Sequence, residues 1–586
     1  MSLGKLSVTL HLWLILCKGA IVLLFRSKVV AGIRRSLGAR RQFLSTRKFL
    51  VSSGTLILSG AALIACQDDE SGLFDPVNDG LAFPEGVSTG GTSSLRPIVV
   101  GGADAEVEKE ASFYAPVVSG KYLWSVNPDT NKVVRVHAES LAIDLMQGGH
   151  EPTYLAVLPE GATPGGAVVL NVRSGDASIF LRGSSPEELL PVQNFAVQEG
   201  ASSWAIGKGG KFAIAWSDAR EKLLDRLDGY QDITVFSFGG ESITTKSLSV
   251  GFRPNQVVIS QDETRAYVVS QPGISIIALS ESPEIEGEIF LPDLAEGARR
   301  DVSITPDGKY ALVSTSGSAK ILVVDLKTEK TVSLNMPSIV TDLDLSKDGS
   351  VAVAVSRPIT SASDNLGGAS AMEDAQSVIG LLPIDKIFDD PSSFELVYTD
   401  EFVGSTVVAD DGSQILLFTN GIKSSLLLIL ETETKKFRSL DLRGPLQAAF
   451  ISQDARFAVA LMSPPSGSTK KGAFALIPLE KDASARIQGT DAPLQFVSIS
   501  ASTGHALITT RATTESQGAT YFTNYPKQQV DKIVLPSTPL STGIVPQAKK
   551  AFISQQHPEG RLTFIDLPSG EDETLTGFEL SGRVVQ

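Results

Sequence analysis

From about residue 112 to the C-terminus, apolar and polar positions alternate in short runs that recur with a regular period. The clearest copy is DVSITPDGKYALVSTSGSAKILVVDLKTEKTVSL, residues 301–334. Val302 and Ile304 alternate with polar residues in a first strand. Pro306-Asp307-Gly308-Lys309 supplies a tight turn, with a glycine where the backbone needs freedom. Ala311 and Val313 continue a second strand. Ile321 to Leu326 is an apolar run of the kind shown by a strand covered on both faces, and Thr328-Glu329-Lys330 turns into a fourth, outer strand. The first turn returns as Ser260-Gln261-Asp262-Glu263, Ser346-Lys347-Asp348-Gly349, Asp410-Asp411-Gly412-Ser413 and Ser452-Gln453-Asp454-Ala455. Weaker copies stand at Ser119-Gly120-Lys121, Pro159-Glu160-Gly161, Gly207-Lys208-Gly209-Gly210, Ala501-Ser502-Thr503-Gly504 and Pro546-Gln547-Ala548-Lys549. These ten anchors lie mostly about 40–50 residues apart, and the wide gaps from 207 to 260 and from 346 to 410 hold insertions.

A four-stranded unit at this period predicts an all-β fold, a β-propeller of four-stranded blades over residues 112–586. One blade cannot bury both faces alone, so stability requires a closed ring. About ten units are counted, yet single rings commonly hold four to eight blades. A ring of seven to ten blades and a pair of rings are both open, and an extended β-solenoid is the structural rival. Gly582-Arg583-Val584-Val585 can add a strand beside the first blade and tie the ring shut. The turn followed by alternating apolar residues, and the apolar strand ending in Asp (Ile321–Val324 with Asp325, Leu562–Ile565 with Asp566), resemble the YVTN and WD-repeat superfamily in its bacterial lactonase-like branch. That resemblance implies the fold and says little about function.

The segment ahead of the repeat carries its own signals. Residues 39–66 read ARRQFLSTRKFLVSSGTLILSGAALIAC. A basic stretch (Arg40, Arg41, Arg47, Lys48) precedes an apolar run from Phe49 to Ala65 that Ser52, Ser53, Gly54, Ser59 and Gly60 make mild. Arg40-Arg41-Gln42-Phe43-Leu44 resembles the twin-arginine export motif, and Leu63-Ile64-Ala65-Cys66 resembles a bacterial lipobox. The resemblance implies a signal peptide over 39–65, export of a folded chain, and lipid on Cys66. Gln67, where inner-membrane lipoproteins often carry Asp, favours the outer membrane, on its periplasmic or surface side. The other reading of the apolar run is a transmembrane anchor. Residues 1–38 hold a second apolar stretch, Leu6 to Phe25; they are a mis-placed translation start or an extension with its own membrane segment. Residues 66–111 are rich in Gly, Ser, Pro, Asp and Glu with little periodicity, which predicts a disordered acidic tether.

The first 65 residues hold ten Lys/Arg and no Asp/Glu, so the remaining 41 basic and 66 acidic residues leave a net charge of −25. Such a surface argues against nucleic acid as a partner and against direct adhesion to anionic lipid headgroups. The two cysteines are Cys17 and Cys66, so the repeat region has no disulfide and no Cys-ligated metal. His137, His150, His505 and His557 fall in no metal-ligand spacing, and no nucleophile elbow or P-loop is present. No cofactor is expected.

Without a catalytic motif, the architecture locates the site. Connections between second and third strands emerge on one face of a propeller, and four of them are long: Ser217–Gln231, Arg357–Ser377, Ser463–Gly472 and Arg511–Gly518. In the first, Asp218 and Glu221 form a potential capping box, with Leu223, Leu224 and Leu227 as an apolar stripe ending at Gly229, so a small helix is expected. The candidate binding residues are Asp218 and Arg220 there, Asp364, Asn365, Glu373 and Asp374 in the second loop, and His557 in a shorter connection. The acidic quartet matches no EF-hand spacing, so no metal is expected. The expected function is a monomeric, lipid-anchored binding module for a protein or glycan at the cell envelope. The alternative is a lactonase-like hydrolase, or another propeller enzyme, with its site at the central channel.

Overall fold

A computed structural model describes residues 115–577, apart from 160–161, 163–164, 186, 219–230, 241, 293–299, 357–374, 421, 465–466, 481–482, 514–515 and 558. In the separate N-terminal unit, residues 1–68, it describes one antiparallel pairing, Leu16–Cys17 with Ala20–Ile21.

The repeat region forms ten four-stranded antiparallel sheets, each from four strands consecutive in sequence. In chain order they are blades 1 to 10: residues 117–147, 152–196, 203–249, 256–290, 300–335, 340–399, 405–441, 446–490, 494–534 and 539–576. First strands of neighbouring blades touch, as in blades 1 and 2, 2 and 3, or 9 and 10, so the first strand is innermost and the fourth forms the rim. The fold is a single ring of ten blades, and the ten turn anchors each join a first strand to a second.

Ring size follows from packing between blades. Ten apolar clusters are present, and each joins one pair of neighbours. The last one closes the circle: Leu123, Val134, Val136 and Ala138 of blade 1 pack on Val545, Ala548, Phe552, Leu562 and Phe564 of blade 10. Each sheet is complete with its own four strands, so the described residues close the ring by face-to-face packing. Gly582–Val585, expected as a closing strand, lies outside the described residues.

Local chemistry explains the recurring turn. Ser346 Oγ donates to Asp348 Oδ1 at 2.7 Å and accepts from Val351 N at 3.0 Å, while Asp348 accepts from Ser350 N at 2.9 Å. Ser260, Thr305 and Ser452 build the same set with Asp262, Asp307 and Asp454. The fourth position is left-handed, φ 68° at Gly308 and 77° at Gly349, which is why glycine recurs there. The Asp that ends a third strand caps the next turn: Asp325 accepts from Lys327 N and Thr328 N, and Asp566 from Ser569 N.

One buried cation had no counterpart in the sequence pattern. Arg135, in the third strand of blade 1, is 2 % exposed. Its guanidinium lies 4.5 Å from the Tyr122 ring centroid, pairs with Asp144 at 2.7 Å, and donates to the Glu187 carbonyl of blade 2 at 2.6 Å. It thereby ties the first two blades together.

Candidate binding face

Antiparallel order sorts the connections. First-to-second and third-to-fourth turns lie at one end of every blade; second-to-third loops and blade-to-blade linkers lie at the other. These ends form a turn face and a loop face. All four long loops join second to third strands, so they share the loop face.

Asp218 sits at the root of the first long loop and is buried, with its backbone N donating to Ser202 Oγ at 3.0 Å. It fastens the loop to the innermost part of blade 3. Arg220 and the expected helix lie outside the described residues, as do Asp364, Asn365, Glu373 and Asp374. The export and lipobox positions, Arg40, Arg41, Phe43, Leu44, Leu63, Ile64, Ala65 and Cys66, are outside them too. His557 is half-buried; its Nδ1 accepts from Glu559 N at 3.2 Å and its carbonyl from Gly560 N at 3.1 Å. Its described contacts shape the turn between the second and third strands of blade 10.

The innermost strands carry apolar, Ser, Thr and Gln residues, with charge confined to blades 5 and 6: Arg300, Asp301, Asp342 and Asp344. Asp342 accepts from Thr406 N at 2.8 Å and from Thr406 Oγ1 at 3.0 Å, and Asp344 also lies against Thr406 Oγ1. These two carboxylates therefore bind blade 6 to blade 7. Arg300 donates to the Gln271 carbonyl at 2.8 Å and so holds blade 5 to blade 4. Among the described residues, no group of three or more His, Cys, Asp or Glu is placed to hold a metal ion.

A carboxyl that acts as a general acid near neutral pH has its pKa pushed up. Where carboxyl pKa values shift among the described residues, they shift down. Hydrogen bonds from Lys470 and Lys532 lower Asp491 from 3.8 to about 2, and the Ser260 hydroxyl lowers Asp262. Burial pushes His505 down; its ring stacks on Phe522 at 5.1 Å, on the turn side of blade 9.

A charge pattern on the loop face had no single motif to announce it. Among the described residues, the loops and linkers of blades 7, 8 and 9 hold Lys423, Arg443, Lys470, Lys471 and Arg511 against Asp491; Glu515, in the same loop as Arg511, lies outside them. All five cations are exposed. Elsewhere on this face, the described loops and linkers hold seven carboxylates and two arginines. The signal was present in the sequence, but spread over loops about 90 residues apart.

Fold and site together define a ten-bladed β-propeller with an elaborated loop face. No protein-family model and no curated protein matches the chain. Solved structures similar to it include the Kuenenia stuttgartiensis hydrazine synthase, at 11 % identity over 55 % of this chain and 94 % of that one, TM-score 0.29. Dihydro-heme d1 dehydrogenase NirN in complex with DHE is 10 % identical over 82 % of this chain and 77 % of that one, TM-score 0.39. A eukaryotic initiation factor is 11 % identical over 80 % of this chain and 97 % of that one, TM-score 0.44. At these values, the likenesses carry no functional argument.

Proposed function

We propose that the chain is an exported, lipid-anchored propeller of the YVTN-like kind, and that it works as a binding module for a protein or glycan partner at the cell envelope. The observation that carries this reading is the gathering of four long loops on one face of a ring whose remaining connections are mostly short. Loops held on a rigid scaffold are the usual place for recognition. The anchor rests on Leu63-Ile64-Ala65-Cys66, and export on Arg40-Arg41 with Phe43-Leu44; outer-membrane attachment of a monomer completes the reading. Passage as a folded chain suits this ring, because its two ends meet across a contact of very high sequence separation, which forms slowly.

Two measurements test it. Mass analysis of the mature protein should find a chain that begins at a lipid-modified Cys66; a chain retaining residues 1–65 overturns the anchor. Replacing Ser463–Gly472 and Arg511–Gly518 with short turns should release a partner captured by crosslinking in whole cells. Capture that survives the trimming overturns the binding face.

The second reading is a lactonase-like hydrolase with its site at the channel; Asp342 and Asp344, although engaged with Thr406, are the one i, i+2 pair of carboxylates on the described innermost strands. Lactone hydrolysis that is lost with chelator and with Asp342→Asn would establish that reading in place of the first.

A further inference from the structure

His505 opens the second strand of blade 9, His505–Thr510, and is half-buried on the turn face. Its ring lies parallel to that of Phe522, with centroids 5.1 Å apart. Its Nε2 stands 3.3 Å from Asn524 Nδ2, and its Nδ1 is buried beside the Thr503 backbone. The neighbouring turn fixes which group donates. Lys527 N can only donate, and it does so to Asn524 Oδ1 at 3.1 Å. The oxygen of that carboxamide is thereby assigned, its NH2 faces His505, and Nε2 must accept. The imidazole is therefore neutral, with its proton on Nδ1.

Protonation removes the acceptor. An imidazolium sets an N–H at Nε2 against the NH2 of Asn524, donor to donor. Asn524 can answer only by turning its carboxamide over, and Lys527 N then loses the oxygen it donates to. The charges around the ring do not favour the cation. The one that reaches it is Lys527, which repels it. Asp531, opposite Phe522 on the fourth strand, is engaged by Gln529 at 2.9 Å. Blade 10, which packs on Phe522, carries Lys549, Glu571 and Asp572 in the adjoining turns and outer strand, all three exposed.

The turn from Asn524 to Gln528 is also the grip of blade 9 on blade 8. Gln528 Nε2 donates to the Ser484 carbonyl at 2.9 Å, and the Gln528 carbonyl accepts from Arg486. We propose that His505 is a pH-sensitive latch: neutral, it holds Asn524 and the turn that grips blade 8; protonated, it releases both. Burial keeps the imidazole below its ordinary 6.5 in the closed latch, so the open state takes the proton more readily. The latch is whole above pH 6.5 and is lost as pH falls through the lower value of the closed state. Each pKa unit between the two states favours opening about tenfold in acid. The device lies on the face opposite the long loops and rests on neither the anchor nor the partner proposed above.

Hydrogen exchange of the full chain tests it, read on peptides spanning 524–528 and corrected for the intrinsic pH dependence of exchange. The unaltered chain is compared with His505→Gln, which offers an acceptor that takes no proton, at about pH 7.5 and about pH 5. Protection should match at the higher pH. In acid it should fall by at least about tenfold in the unaltered chain and persist in His505→Gln. Asn524→Asp is the second variant. Its carboxylate can accept from Lys527 N and from the imidazolium alike, so the turn should stay protected in acid. The ring of His505, followed by nuclear magnetic resonance, should titrate below 6.5 in the unaltered chain and above it in Asn524→Asp. His557→Gln, on the loop face, should leave the acid response as it is. Acid loss that is equal in the unaltered chain and both variants overturns the latch, as does protection that persists in the unaltered chain to about pH 4.5. So does a His505 midpoint at or above 6.5, or an imidazole that carries its proton on Nε2 at neutral pH.

Discussion

The seam between blades 1 and 10 is the one interface of the ring that no linker spans, so it should open most readily. Phe564 is buried there against Phe552, Leu123, Val134 and Val136. Phe564→Ala removes most of a side chain that is 1 % exposed, a change that costs about 3–5 kcal/mol. At about 1.4 kcal/mol per factor of ten, the open population should rise by roughly two to three and a half orders of magnitude. Phe474, fully buried between blades 8 and 9, offers the same truncation at an interface joined by residues 491–493. Separating blades there, while the seam holds, requires a second interface to break. The assay is thiol labelling of a buried reporter cysteine in a chain whose Cys17 and Cys66 are replaced by Ser. Ala138→Cys reports on the seam and Ala506→Cys on the contact between blades 8 and 9; both positions are fully buried. Labelling at 138 should exceed that at 506 in the otherwise unchanged ring, and Phe564→Ala should accelerate it strongly. Phe474→Ala should expose 506 only as the whole ring unfolds. Equal labelling at both positions, responding equally to both truncations, would refute a ring closed by its weakest contact.

Other expectations follow from single contacts. Glu263 reaches from the blade 4 turn into that of blade 3, accepting from Gly209 N at 3.0 Å. Glu263→Ala should cost about 1–3 kcal/mol in chemical denaturation by removing the carboxylate, itself buried, that Gly209 N and Lys211 N donate to across the two turns. Gly207→Ala should cost a similar amount, since a Cβ would stand 1.8 Å from Glu263 Oε1. Asp491 is held down from 3.8 to about 2, so its ion pairs with Lys470 and Lys532 are complete above pH 3.8 and are lost as pH falls through about 2. Carbon-13 titration of the Asp491 carboxyl should find its midpoint near 2, moving up toward 3.8 in Lys470→Met/Lys532→Met; an unmoved midpoint would remove the two lysines as its cause. Arg135→Met should destabilise the junction of blades 1 and 2 while leaving Asp144 solvated, because Asp144 is 49 % exposed; thermal melting reads the loss.

The blades were legible because their determinants are local. Ser346, Asp348 and Gly349 specify a turn through bonds within five residues, and an apolar third strand such as Ile321–Leu326 announces its two covered faces. The count of ten followed from these turns. Ring size did not, since it is set by the angle at which neighbouring blades pack, through contacts such as Trp124 with Phe180 that no single blade contains. Arg135 hid for a related reason. In Lys132–His137 it reads as a polar position on an alternating strand, and only Tyr122, Trp124 and Glu187, brought from elsewhere, give it a buried place. The four long loops share one face because strand order alone dictates it. The cations over blades 7 to 9 gain meaning as a group only once those loops stand side by side.

Each blade is built from one uninterrupted stretch of chain, and the circle is completed by contact alone. The order in which the blades are written is therefore a matter of where the circle happens to be cut. A gene that joined residue 577 to residue 115 through a short spacer, and began instead at any blade-to-blade linker, should encode the same object with its ends moved. Whole blades can likewise be copied or lost in register without tearing a sheet, which makes this architecture open to growth by duplication.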